Sequence, residues 1–212
     1  MANDTTQPAY RPAQQARGAR TEARFRQAAE ECFAHMGYGG TKVSDIIERS
    51  GCSTGSYYHR FKDKRALFDL MLGDYVASGS DGIDALDLSR AQFGSVVNIL
   101  KMTAETQYNG VAANRGLLRA AHELSISEPE VWAQIAGLTL RYWAKLEQHV
   151  GEYADEISAP DPTAALGRAV QTIFALQLQI AWGIGPLFPR EPEEVQRLAV
   201  NAALGVLNPS ES

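Results

Sequence analysis

Residues 51–61 read Gly51-Cys-Ser-Thr-Gly-Ser-Tyr-Tyr-His-Arg-Phe61. Two glycines and three small hydroxyl residues stand between segments of helical periodicity, followed by two adjacent tyrosines. A core-facing helix would not select so little side-chain volume. The stretch instead has the form of a glycine turn followed by a slender helix, and the segments on either side decide its meaning.

Upstream, Phe25, Ala28, Ala29, Cys32 and Phe33 share one face of a helix predicted over Thr21–His35. The cluster Gly37-Tyr-Gly-Gly40 stops that helix; it is not a phosphate loop, since no Lys-Ser/Thr ending follows and no strand precedes it. Thr41 is the expected N-cap of a second helix with Val43, Ile46 and Ile47 turned inward. Gly51 ends it, and Ser53 caps a third helix running to Phe61. Asp63 caps a fourth to about Val76, with Leu67, Phe68, Met71, Leu72 and Tyr75 at helical spacing. The run Ser78-Gly-Ser-Asp-Gly82 reads as a loop near a domain boundary. Further helices are predicted at about 89–108, 111–125, 128–150, 162–184 and 192–206. No strand alternation bounded by hairpin turns occurs, so the fold class is all-α.

The 212 residues carry a net charge of −5, which argues against nucleic acid until the chain is divided. Residues 1–65 hold 11 Lys/Arg against 7 Asp/Glu, whereas the remainder holds 9 against 18. The two halves therefore face different partners. Cys32 and Cys52 lack metal-ligand or disulfide spacing and read as reduced thiols, and residues 1–20 lack the apolar run of a secretory signal. The uncharged run Ala169–Pro189 is long enough to span a bilayer, but its glutamines would face lipid and Gly185-Pro186 would break it, so a helix buried within protein is expected.

Helix, glycine-containing turn and helix form the arrangement in which the second helix enters the DNA major groove. Its leading residues must then be small or hydrogen-bonding, a condition that Ser53, Thr54, Gly55 and Ser56 meet. Tyr57 and Tyr58 point to different faces, so one at most packs inward while the other offers its hydroxyl to phosphate. Lys62, Lys64 and Arg65 crowd the start of the fourth helix, where the macrodipole is already positive. That placement costs from a few tenths to about 1 kcal/mol per cation unless a phosphate docks there.

From about Arg20 to Tyr75 the chain resembles the DNA-binding region of the TetR family of bacterial transcriptional regulators, through Thr41-Lys-Val-Ser-Asp-Ile-Ile, Ser50-Gly-Cys-Ser-Thr-Gly-Ser-Tyr-Tyr-His-Arg-Phe and Lys62-Asp-Lys-Arg-Ala-Leu-Phe. The resemblance implies a flexible basic tail (1–19), a three-helix helix-turn-helix DNA-binding domain (20–76) and a larger helical ligand-binding and dimerisation domain (77–212). It implies that Thr41 and Lys42 hold phosphates with Ser44 nearby, that Thr54, Gly55, Ser56 and His59 face bases, and that Tyr58 and Lys64 grip the backbone; Ser53, Tyr57 and Lys62 complete the expected DNA-binding set. The chain departs from the family at Thr54, where lysine is frequent, and at Arg60, where an aromatic residue is frequent.

The acidic half offers no catalytic constellation: His122-Glu123 lacks a second histidine and no serine stands in a Gly-x-Ser-x-Gly setting, so the reading is that the protein is not an enzyme and uses no cofactor or metal. Phe93, Met102, Tyr108, His122, Trp132, Trp143, Phe174, Gln177 and Trp182 are the expected lining of a pocket for a small, largely apolar effector. An anionic effector is less expected, because this half is acidic and its cations are scattered. The segments 162–184 and 192–206 would pair with a second copy about a two-fold axis. The sequence thus describes a cytoplasmic, ligand-responsive regulator, a repressor that binds a palindromic double-stranded DNA operator as a homodimer, without membrane contact. The alternative is a helical small-molecule-binding protein whose DNA-reading head is degenerate.

Overall fold

The computed structural model describes residues 16–183 and 187–208. Most of the expected basic tail, and residue 184 of the expected pairing segment, lie outside them. Among the described residues the elements are helical throughout: α1 (Ala16–Gly40), α2 (Val43–Ser50), α3 (Thr54–Arg60), α4 (Lys64–Ala85), α5 (Arg90–Phe93), α6 (Val96–Ala113), α7 (Arg115–Ser125), α8 (Pro129–Glu147), α9 (Val150–Tyr153), α10 (Pro162–Trp182) and α11 (Pro192–Leu207), with one turn of 3-10 helix at Ala154–Glu156. The all-α expectation holds. No helix among them is long and apolar enough to cross a membrane.

Two units divide the chain: residues 1–78 with 116–132, and 79–115 with 133–212. Neither unit is contiguous in sequence. Residues 116–132 join the first unit because α7 lies directly on α1. A Cβ at Gly116 would overlap the Glu30 carbonyl oxygen, and the Glu30 carboxylate accepts the backbone N–H groups of Gly116 and Leu117 (2.8 Å for Leu117). In return, the Glu123 carboxylate of α7 accepts the N–H groups of Tyr38 (2.7 Å) and Gly39 (2.8 Å). Those two donors are exposed by the break in α1 at Gly37, whose φ of 73° and ψ of 177° fall outside any helix. The predicted stop is therefore in place, with a carboxylate from a distant segment completing it.

The first unit is built on aromatic packing. Phe25 meets Tyr57 edge-on (5.1 Å between ring centroids) and Phe61 (6.0 Å), while Phe68 meets Phe33 (6.4 Å) and Tyr38 (5.5 Å). Such edge contacts add roughly 0.5–1.5 kcal/mol each beyond area burial. In the second unit α10, α11 and α6 enclose Ile99, Leu100, Ala104, Leu166, Ala169, Ile173, Ala199, Ala203 and Leu207.

Three local expectations are corrected. The run 78–82 is helix, because α4 continues through its glycines to Ala85, and Leu138 occupies the space beside Gly79 within the second unit. The predicted helix 89–108 is interrupted at Gly94, so α5 is a single turn and Ser95 caps α6 by accepting from Asn98 N–H. The N-cap of α2 is Lys42 rather than Thr41; Asp45 accepts the Lys42 backbone N–H at 2.8 Å, and the Thr41 hydroxyl turns back to donate to Gly37 O at 2.7 Å.

Candidate nucleic-acid interface

The turn between α2 and α3 is set by Gly51, which adopts the left-handed conformation (φ 60°) and donates its N–H to Glu48 O. Ser53 then begins α3, its hydroxyl accepting the Ser56 N–H at 3.2 Å and pairing with the Ser56 hydroxyl at 2.9 Å. Asp63 caps α4 by accepting the Ala66 N–H at 2.8 Å. All three signals act where the sequence places them.

Burial separates the two tyrosines. Tyr57 is fully buried against Phe25 and Phe61, and its hydroxyl donates to Asp63 O at 3.2 Å; burial raises its pKa. Tyr58 is 49% exposed. Tyr57 is thus a core residue that anchors α3, which corrects its place in the expected contact set, and Tyr58 alone presents a phenol outward. Thr41 is corrected likewise: it is buried, and its hydroxyl is spent on Gly37 O.

The cations at the start of α4 are also redistributed. Lys64 is half-buried; its ammonium donates to Tyr38 O and to Thr41 O (2.6 Å) and lies 4.1 Å from the Tyr38 ring centroid. Burial holds its pKa below the usual lysine value, opposed by Glu123 and Asp45. It ties the break after α1 to α4 rather than facing outward, contrary to its expected grip on DNA. Arg65 pairs with Asp69 (2.6 Å) and Glu128 (2.6 Å). Arg60, at the position that departs from the family pattern, lies 3.8 Å from Glu22, both side chains being nearly buried (11% and 12% exposed). Its charge is matched inside the unit, and nothing in the sequence alone could have told on which face of α3 it falls.

What remains exposed is Lys42 at the N-cap of α2 and Ser44 on it, Ser53, Thr54, Gly55, Tyr58 and His59 at and along α3, and Lys62 just beyond, with Ser56 half-buried among them. A Cβ added at Gly55 would meet nothing within 4 Å. Glycine inside a helix costs about 1 kcal/mol relative to alanine, so the fold itself gains nothing from its presence here.

The residues expected to line an effector pocket do not form one group. His122 and Trp132 sit in the first unit with their rings 5.8 Å apart. In the second unit, Phe93, Met102, Trp143 and Phe174 are half-buried against the core, Phe174 being 6.0 Å from the Tyr142 ring. Gln177 is fully buried and its amide donates to Ala104 O at 2.8 Å. Trp182 is half-buried at the end of α10. Only Tyr108 of the expected set lines the cavity of about 380 Å³ in this unit, together with Arg115, Ile180, Phe188, Arg190 and Val195. Sequence reading missed both arginines; they are 75 positions apart, and no local pattern marks either.

A helix-turn-helix whose second helix is slender, polar and cation-flanked, within an all-α chain, is the arrangement found in helix-turn-helix DNA-binding domains. Residues 25–71 match the family described as bacterial regulatory proteins, tetR family. The chain is similar to the HTH-type transcriptional regulator TtgR of Pseudomonas putida, 31% identical over 96 residues, spanning 41% of this chain and 46% of that relative. The same identity and spans hold for a Pseudomonas putida protein described as a probable HTH-type transcriptional regulator, ArpR. The match thus spans about half the length of these curated relatives. In fold the chain is similar to a tetR-family bacterial regulatory protein from Rhodococcus RHA1, with a TM-score of 0.66 and 24% identity, covering 90% of this chain and 98% of that one.

Proposed function

We propose that the protein is a ligand-responsive transcriptional repressor of the cytoplasm that binds a palindromic DNA operator as a homodimer. The observation that carries this reading is Gly55: exposed, with no packing reason in its own chain, in the first turn of α3 between the exposed Thr54 and the half-buried Ser56. Glycine there lets the α3 backbone approach base edges, with Thr54, Ser56 and His59 supplying hydrogen-bonding groups. Lys42, Ser44, Tyr58 and Lys62 contact phosphates on either side. Lys64, Thr41 and Tyr57 support this surface from within.

Dimerisation is assigned to α10 and α11. On α11, Val195, Ala199 and Ala203 are buried in their own unit, leaving Leu198 (39% exposed) with the half-buried Ala202 and Val206 to meet a second copy. Two heads related by a two-fold axis read half-sites about 34–36 Å apart. A small molecule held in the second unit shifts the population between head spacings by at most its difference in affinity for the two states. The helix α4 passes through the division between the units and is the covalent route for that shift.

The test is selection of bound sequences from random and genomic DNA, followed by a salt titration. Recovery of a palindrome, bound with an affinity that falls steeply with salt, supports the reading. Retention of no DNA even at low ionic strength overturns it in favour of a binding protein with a degenerate head.

A further inference from the structure

The cavity of about 380 Å³ lies toward the lower end of the range of small-molecule sites, roughly 300–1,000 Å³. Its apolar wall comes from Tyr108 on α6, Ile180 on α10, Phe188 in the connection to α11, and Val195 on α11. Its charged members are Arg115, the first residue of α7, and Arg190, just before α11. No carboxylate is among the described residues that line it. This is unusual in a half of the chain that carries twice as many acidic as basic residues. Elsewhere in the same unit Arg90 pairs with Asp155 at 2.6 Å, Arg141 with Asp84 at 2.5 Å and Arg197 with Glu194 at 3.6 Å, whereas the exposed Arg168 is in no ion pair among the described residues. Among the described residues no ion pair reaches Arg190.

Two guanidinium groups brought to one small cavity favour an anion between them, and each presents a planar fork of donors that matches a carboxylate in two bonds. A wholly apolar occupant would cover the wall but make no bond to either guanidinium. We propose that the effector is an amphipathic organic acid, its carboxylate held by Arg190 and Arg115 and its apolar body lying against Tyr108, Ile180, Phe188 and Val195. The inference rests on the effector-responsive reading and deepens it. It replaces the expectation of a largely apolar rather than anionic effector, which came from the acidity of this half and the scatter of its cations along the chain rather than from their convergence in space.

The probes are octanoate and its uncharged match octanol, with phenylacetate and 2-naphthoate as aromatic acids, measured by calorimetry on the full chain and on Arg190→Gln and Arg115→Gln. Arg190 is exposed, so its variant is expected to melt like the parent. The parent is expected to bind at least one acid about tenfold or more tightly than an uncharged analogue of the same shape, and Arg190→Gln to bring the two within about threefold by weakening the acid alone. Equal binding of octanoate and octanol, no binding of any of the acids, or an acid preference that survives both substitutions would overturn the proposal. A gel-shift assay of the unliganded chain runs alongside. DNA binding without acid preference defeats this inference alone, whereas acid preference without DNA binding defeats the regulator reading and leaves the site standing.

Discussion

Glu30 and Gly116 meet more closely than any pair of side chains could: the Glu30 carboxylate accepts the Gly116 backbone N–H while the Glu30 carbonyl oxygen lies where a Cβ at 116 would stand. A second backbone atom, Ala34 N, would be 2.8 Å from that Cβ, so relief requires α7 to move off α1. Gly116→Ala is therefore expected to destabilise the protein by at least about 1–3 kcal/mol, the usual range for overpacking, with loss of the bonds to Glu30 added. Chemical denaturation checks this; a variant as stable as the parent would contradict the close approach.

Gly55→Ala should do the reverse to stability and harm function. With open space around the position, alanine gains up to about 1 kcal/mol of helix propensity. Operator affinity is expected to fall about tenfold or more, because the added methyl holds α3 off the bases. Unchanged affinity in a gel-shift titration would remove the strongest support for the DNA-facing reading.

The adjacent tyrosines should separate cleanly. Tyr57→Phe deletes the bond to Asp63 O, at a cost of about 1 kcal/mol in stability, without altering DNA affinity in the folded fraction. Tyr58→Phe should leave the melting temperature unchanged and weaken binding to all DNA sequences alike, since a phosphate contact carries no base preference. Measuring both variants by thermal melting and by gel shift gives a crossed pattern; the opposite pattern would mean that their roles are exchanged.

Charges should divide in the same way. Lys42→Gln and Lys62→Gln are each expected to reduce the slope of log affinity against log salt by about one, as one phosphate contact is lost. Arg60→Gln should leave that slope intact, since Arg60 already faces Glu22 within the unit, and should instead lower stability. A reduced slope for Arg60→Gln would place its guanidinium on DNA.

By itself the sequence determined the helical class, the stop at Gly37, the turn at Gly51, the caps at Ser53 and Asp63, and the slender polar helix between them. These are short-range matters: a left-handed glycine, a hydroxyl or carboxylate beside its own helix start, and the 3.6-residue period act within a few positions of chain. It did not determine which of Tyr57 and Tyr58 lies in the core, because their faces depend on where Phe25 and Phe61 stand. It could not show that Lys64 faces carbonyls or that Arg60 faces Glu22, because a charge reads the same whether its partner is a phosphate or a neighbour from another helix. Least of all could it show Glu30 and Glu123 clamping α1 to α7 across more than 80 positions, or Arg115 and Arg190 meeting at one cavity. Those contacts exist only once packing has brought distant segments together, and packing is decided by the whole core at once.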